Sequence, residues 1–301
     1  MSIAPAHPLP MRRRYRLRRL VTEAGSVMLG IAILIWSLTP VYNMLLIALD
    51  PEEGEIEFDG NLWPASPSLD SFGEVVTQHA RYLETFWHQF GNSAFIGLLT
   101  MVLTVVIGSL ASFAVNRMRL SKGSLLTNAA LFTYAIPASF LIVPYFRIMH
   151  TYGLSDNPWA VIAAQVTFAT PFAILILQLY GSLIPTELDD SAQVDGASAV
   201  QVYLRIYLPL MMPALAVVAV YALMLAWNDY LYPSVLLAVR NMTVAVTQGQ
   251  LFSDTDAAWN AMMAAAIIYV LPPIALLFAL RSYVGASLMM VSAGVWKARK
   301  S

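Results

Sequence analysis

"DDSAQVDGASAVQVYLRIYLP", residues Asp189 to Pro209, is a polar, small-residue, glycine-broken stretch set between two long apolar runs. Pro185 and Thr186 precede Glu187, Asp189 and Asp190. That order marks a helix start, where a hydroxyl can cap free N–H groups and acids face the positive end of the dipole. Gly196 can end the helix, because glycine takes the left-handed C-cap conformation at no steric cost. Ser198 and Gln201 have the S-x-x-Q spacing of a capping box, so a second helix starts there. Pro209 bends that second segment by removing a backbone hydrogen bond and crowding the carbonyl a turn earlier. Ala192, Gly196 and Ala197 keep the surface low enough for a groove to close over it, while Glu187, Asp189, Asp190 and Asp195 offer polar contacts. Local chemistry alone describes an ordinary capped connection between two longer helices.

Working outward, the flanking runs decide the fold class. The chain has 301 residues, of which 58% are hydrophobic and 12% charged, too apolar for one soluble core, so it belongs in a bilayer. A span of about 30 Å of hydrocarbon takes about 20 helical residues. Runs of that kind lie at Ser26–Leu49, Ala94–Val115, Leu125–Phe146, Ala160–Leu183, Leu208–Val239 and Ala261–Leu280. The expectation is an all-α membrane protein with six transmembrane helices. The fifth run is over-long and carries Pro213, Asp229 and Pro233, which predicts a tilted or broken helix.

Basic residues mark the cytoplasmic loops. With the N-terminus inside, the arginines of "RRRYRLRR" (Arg12–Arg19) fall in the cytoplasm, with Arg117, Arg119, Lys122, Arg205, Arg281, Lys297, Arg299 and Lys300. Only Arg81, Arg147 and Arg240 of the 17 basic residues then lie outside, beside the acidic "DPEEGEIEFDG" of Asp50–Gly60. Both termini and the 184–208 loop are expected in the cytoplasm. The first apolar run is too long for a signal h-region and is read as an uncleaved helix. There is no cysteine, hence no disulfide framework. The expected organisation is a basic cytoplasmic head (1–20), a first transmembrane helix with an external segment (21–90), a core membrane domain (91–285) and a cytoplasmic tail (286–301).

The opening stretch carries a resemblance. Asp190-Ser191-Ala192, three residues, Gly196, nine residues, then Ile206-Tyr207-Leu208-Pro209 resembles the cytoplasmic-loop pattern of ABC-transporter permeases: Glu-Ala-Ala, three residues, Gly, nine residues, Ile-x-Leu-Pro. Asp190 and Ser191 depart from it while keeping charge or small size. "NSAFIGLLTMVLTVVIGSLASFAVNRMRLSKG", "IPASFLIVPYFRIMHTYGLSDNPWAVI", "AWNDYLYPSVLL" and the tail "SAGVWK" are similar to segments of binding-protein-dependent carbohydrate importers of the maltose type. The resemblance runs from about Asn92 to Lys297.

It implies a type I importer permease (MetI-like) fold in an inner-membrane subunit that imports a carbohydrate or polyol. Asp190, Ser191, Ala192, Asp195, Gly196, Ala197, Ile206, Leu208 and Pro209 would then form an ATPase-coupling helix docked on a separate ATP-hydrolysing subunit. The implied partners are a second permease chain, two ATP-binding subunits, an external solute-binding protein and membrane lipid, with no nucleic acid. The chain has no G-x-x-x-x-G-K-[ST] phosphate loop, so it is not expected to be an enzyme. ATP and Mg would sit in the partner subunits, and no cofactor in this one. An ion-coupled secondary transporter is the alternative, although that class usually needs more spans with internal pseudo-symmetry.

Asp229 is the other residue to weigh, since an ionisable group in an apolar run is a functional hypothesis by default. A helix that starts at Leu208 carries it about 21 residues, at 1.5 Å each, to the outer interface, where an acid is cheap. A longer tilted helix brings it nearer a cavity. Asn228, Tyr230 and Tyr232 would supply hydrogen-bonding and stacking surfaces for a sugar, and with Trp227 and Asp229 they are the substrate-path candidates. His79 and His88 lack a third ligand at metal-site spacing, and no catalytic or metal site is read.

Overall fold

The computed structural model describes residues 11–50, 62–64, 66–79, 83–118, 123–251 and 258–298. Among the described residues the regular structure is helical throughout. They divide into two compact units, Met1–Gly73 with Ala258–Ala264, and Glu74–Ala257 with Ala265–Ser301.

The first unit is built on α1 (Met11–Ala48). Its Arg19–Ala48 portion is long and apolar enough to cross a membrane, and residues such as Met28 and Trp36 are exposed, as on a helix whose surroundings are apolar. Leu49 accepts from the Ser68 backbone N–H at 2.8 Å, and Asn260 donates to the Asp50 carbonyl at 3.4 Å. The acidic stretch 51–60 and most of the basic head lie outside the described side chains.

The second unit is organised around three mutually packed helices, α3 (Phe86–Arg117), α6 (Pro158–Gly181) and α9 (Leu208–Trp227). Lipid tails are as apolar as leucine, so such helices associate through close backbone approach and internal polar bonds. Small residues serve the first purpose. A Cβ on Gly97 would stand 3.0 Å from Leu223 Cδ1, and one on Gly108 would stand 3.1 Å from Ala173 Cβ. Buried Thr100, Ser109, Ser112 and Gln165 serve the second.

Among the described residues, five helices have the length and apolarity to span, at Arg19–Ala48, Phe86–Arg117, Pro158–Gly181, Ala199–Trp227 and Trp259–Tyr283. The last belongs to α12 (Trp259–Ala298). The third of the six expected spans is not one continuous helix. Its residues form α4 (Gly123–Phe132), a 3₁₀ turn at Thr133–Ala135 and α5 (Ala138–Thr151). Pro137 causes the break: a residue before proline is pushed out of the helical region, and Ile136 is extended at φ −97°, ψ 116°. The over-long fifth run is broken as well. α9 ends at Trp227, and a short α10 (Leu231–Leu236) follows. α2 (Asp70–Thr77), α11 (Val244–Leu251) and a 3₁₀ turn at Val239–Asn241 complete the described helices outside the polar loop.

Candidate functional site

The 186–208 region folds as two short helices with glycine between them. α7 spans Glu187–Val194 and α8 spans Ala199–Val202. Gly196 lies at φ +85°, where an L side chain is strained. Its N–H bonds to the Gln193 carbonyl at 3.0 Å, and the Ala197 N–H bonds to the Ala192 carbonyl at 2.9 Å. Those two bonds make a complete Schellman closure of α7. The capping box also forms: Gln201 N–H donates to Ser198 Oγ at 3.4 Å, and Ser198 N–H donates to Gln201 Oε1 at 2.8 Å. One detail is corrected. The Thr186 side chain makes no cap bond. The Thr186 backbone carbonyl instead accepts from the N–H groups of Asp189 and Asp190.

Pro209 acts differently from the expected bend. It stands in the first turn of α9, and the five residues before that helix, Tyr203–Tyr207, form a π-helical turn. Proline has no N–H and its ring crowds the carbonyl four residues back, so the wider turn keeps the chain helical from α8 into α9.

Asp190, Ser191, Asp195, Gly196 and Pro209 are exposed, and Ala192, Ala197, Ile206 and Leu208 are half-buried. Beyond its immediate chain neighbours, no atom lies within 4 Å of where a Gly196 Cβ would stand. Val194 and Val200 are 88% and 65% exposed, an apolar addition to this surface that the sequence reading missed. Two surface valines in a polar loop were the available signal.

Asp189 does not face outward as expected. It is buried, and its Oδ2 lies 2.7 Å from Arg117 Nε, each side chain being 6% exposed. The contact is an ion pair without hydrogen-bond geometry. Burial pushes the Asp189 carboxyl up, against the lowering by Arg117, and Asp190 raises it further. Arg117 also donates to the Ile184 carbonyl at 3.1 Å and lies 5.5 Å from the centre of the Tyr207 ring.

The substrate-path candidates lie around the end of α9. Trp227 is buried, donates to the Tyr269 carbonyl at 3.2 Å, and stacks on that ring at 4.8 Å. Tyr232 is buried, and its hydroxyl donates to the Ala138 carbonyl at 3.0 Å. Asn228 and Tyr230 are exposed. Asp229 is half-buried outside the helix. It accepts from Gln165 Nε2 at 3.1 Å and from the N–H groups of Leu231 at 3.0 Å and Tyr232 at 3.4 Å. These bonds cap α10 and tie it to α6. His79 and His88 contact Thr77 and Asn241. Among the described residues no group of three His, Cys, Asp or Glu could hold a metal ion.

A helix-glycine-helix loop set between the second unit's long apolar helices is the arrangement that the resemblance to importer permeases implies. Residues 104–289 match the model of the binding-protein-dependent transport system inner membrane component, and the chain belongs to this family. It is 34% identical to the inner membrane ABC transporter permease protein YcjP of Escherichia coli K12, over 81% of this chain and 86% of that protein. It is 30% identical to the trehalose transport system permease protein SugB of Mycobacterium tuberculosis, over 79% of this chain and 85% of that protein. Among solved structures, it resembles a chain of a bacterial ABC transporter involved in the import of the acidic polysaccharide alginate. The TM-score there is 0.71 at 20% identity, covering 93% of this chain and all of the other. The fold is therefore the all-α importer-permease fold, in a multi-pass inner-membrane protein, and the ion-coupled alternative is set aside.

Proposed function

We propose that this chain is one permease subunit of an ATP-driven importer that takes a carbohydrate or polyol from an external binding protein. The observation that carries the reading is the 187–202 helix pair. It is fixed by its own caps and presents an exposed surface with open space at Gly196, a rigid projection suited to a partner's cleft. Two ATP-binding subunits hold the ATP and Mg. Their closure is passed through Asp190, Ser191, Ala192, Asp195, Gly196, Ala197, Ile206, Leu208 and Pro209 to the spans, as a two-state change biased by nucleotide. The sugar assignment rests on the trehalose permease among the relatives. A second permease chain completes the path. The basic head 1–20 and the tail 286–301 lie in the cytoplasm with this loop.

On the solute side, Asn228 and Tyr230 offer the exposed polar and aromatic surfaces. Trp227, Asp229 and Tyr232 hold that segment in place. Gly249 supports Tyr230 from α11, where a Cβ would stand 2.7 Å from the ring. The test is reconstitution of the chain with its second permease, two ATPase subunits and binding protein, followed by uptake of a labelled panel of disaccharides, oligosaccharides and polyols. ATP-dependent uptake of at least one member, with no ATPase activity from this chain alone, is the expected outcome. Uptake by this chain alone on a proton or sodium gradient would reject the reading.

A further inference from the structure

The cytoplasmic end of α3 is fastened to both sides of the coupling loop. At its last residue, Arg117 pairs with Asp189 of α7 at 2.7 Å and reaches the Ile184 carbonyl ahead of α7 at 3.1 Å. One and two turns earlier, α3 meets the π-helical turn that follows α8. Ser112 and the Tyr207 hydroxyl are 2.8 Å apart, as are Ser109 and the Tyr203 hydroxyl. Phe113 lies edge-on to both rings, with centroids 5.2 and 5.1 Å away. The Arg117 guanidinium closes the set by sitting over Tyr207. Continuity of the chain links the loop to α6 and α9. These side chains link it to α3 as well.

We infer that Arg117 and Asp189 form an internal clamp that makes α3 and the coupling helix move as one rigid body, so that α3 carries the ATPase-driven displacement toward the outer face. Both are positioning residues, since neither meets nucleotide or solute. The inference rests on the coupling role proposed above. An exposed pair could not serve this way, because surface ion pairs in water hold little. A buried pair leaves an uncompensated charge whenever its partners separate, which strongly opposes separation.

The same asymmetry shapes the test. Removing one partner strands a buried charge, whereas replacing both by apolar side chains of similar volume is often tolerated. Arg117→Met/Asp189→Leu is therefore the informative variant. The chain contains no cysteine, so spin labels can be placed at Leu98→Cys, exposed on α3, and at Glu187→Cys, at the start of α7. The nineteen residues from Leu98 to Arg117 put the first label about 28 Å up the helix axis. Distances are measured in the complete complex with cysteine-free partners, both free of nucleotide and trapped with ATP and vanadate.

With the native pair, one narrow distance should be found in both states. In the apolar variant, with complex yield unchanged, the distribution should broaden and shift on trapping. A shift above about 2 Å with the native pair present, beyond the scale of ordinary interface helix shifts, overturns the clamp. So does an apolar variant that keeps the single narrow distance. The first comparison needs no change at either clamp residue, so it stands whatever the variant does. The coupling reading is judged separately, by whether ATPase subunits stay attached to a Gly196→Asp chain.

Discussion

Gln165 bridges Thr100 and Asp229 through both ends of its amide. Its Oε1 accepts from the Thr100 hydroxyl at 3.0 Å, and its Nε2 donates to the Asp229 carboxylate at 3.1 Å. Thr100 lies on α3, Gln165 on α6 and Asp229 just past α9, so one chain of polar groups runs across the three packed helices. Gln165 and Thr100 are buried. Buried polar networks hold a unique arrangement when every member is satisfied and become liabilities when one is removed. Asp229→Ala should leave the Gln165 amide without its acceptor and free the start of α10. The loss of a charge-assisted hydrogen bond costs about 1.5–3 kcal/mol. Insertion should be normal and uptake per assembled complex reduced, with Asp229→Asn intermediate. Uptake normalised to complex yield is the measurement, and wild-type transport with unchanged solute preference would make Asp229 a bystander.

In the 187–202 helix pair, Gly196→Asp combines two effects that experiment can separate. The left-handed backbone at φ +85° costs an L residue on the order of 1–2 kcal/mol, and Gly196→Ala incurs that cost alone. The carboxylate adds volume and a charge that a close-fitting partner must desolvate. Gly196→Ala should therefore weaken co-purification of the ATPase subunit modestly, and Gly196→Asp should abolish it, at equal membrane levels. A change at the exposed Gln193, outside the capping box, is the control.

Gly181, at the end of α6, tests packing rather than docking. A Cβ there would collide with the Asn116 side-chain amide and would stand 2.6 Å from the Tyr207 hydroxyl. Those two groups belong to the polar set around Ser112, so they cannot simply swing away. Gly181→Ala should destabilise by about 1–3 kcal/mol, the usual cost of overpacking. A fall in detergent-solubilised melting temperature should be relieved by Asn116→Ala in the same chain. An unchanged melting temperature would show that the site has slack.

Topology supplies a further test. Reporter fusions after Gly196 and at both termini should report cytoplasm, and a fusion near Arg240 should report the outer side. The reason is the concentration of Lys and Arg on one set of loops. A Gly196 fusion that reports the outside would remove the basis for any ATPase contact.

Much of the loop was legible in the sequence because its signals are local. Glycine at a helix end and a Ser-x-x-Gln pair act within four residues, and both formed as read. The third span failed as a continuous helix because counting apolar residues is blind to the backbone. Pro137 stood in plain view inside Leu125–Phe146, and its effect on Ile136 is conformational. The Arg117–Asp189 pair was out of reach for another reason. Arg117 read as a topology marker and Asp189 as a docking contact, and nothing in either neighbourhood says that α3 and α7 meet. Asp229 fell between its two readings. The helix does begin at Leu208, as the first reading supposed, yet Asp229 is half-buried and bonded to Gln165.

The π-helical turn at Tyr203–Tyr207 also sets an azimuth. Each residue of an α-helix advances about 100° around the axis, and a π turn accommodates one residue more than an α turn does. The direction in which α7 and α8 project from α9 thus depends on a single extra residue. Deleting one residue from this turn, with every apolar span intact, would wind the loop about a quarter-turn around α9. Asp189 would swing away from Arg117, and the proposed docking face would point elsewhere. In this fold the bearing of the loop is a matter of chain length, counted one residue at a time.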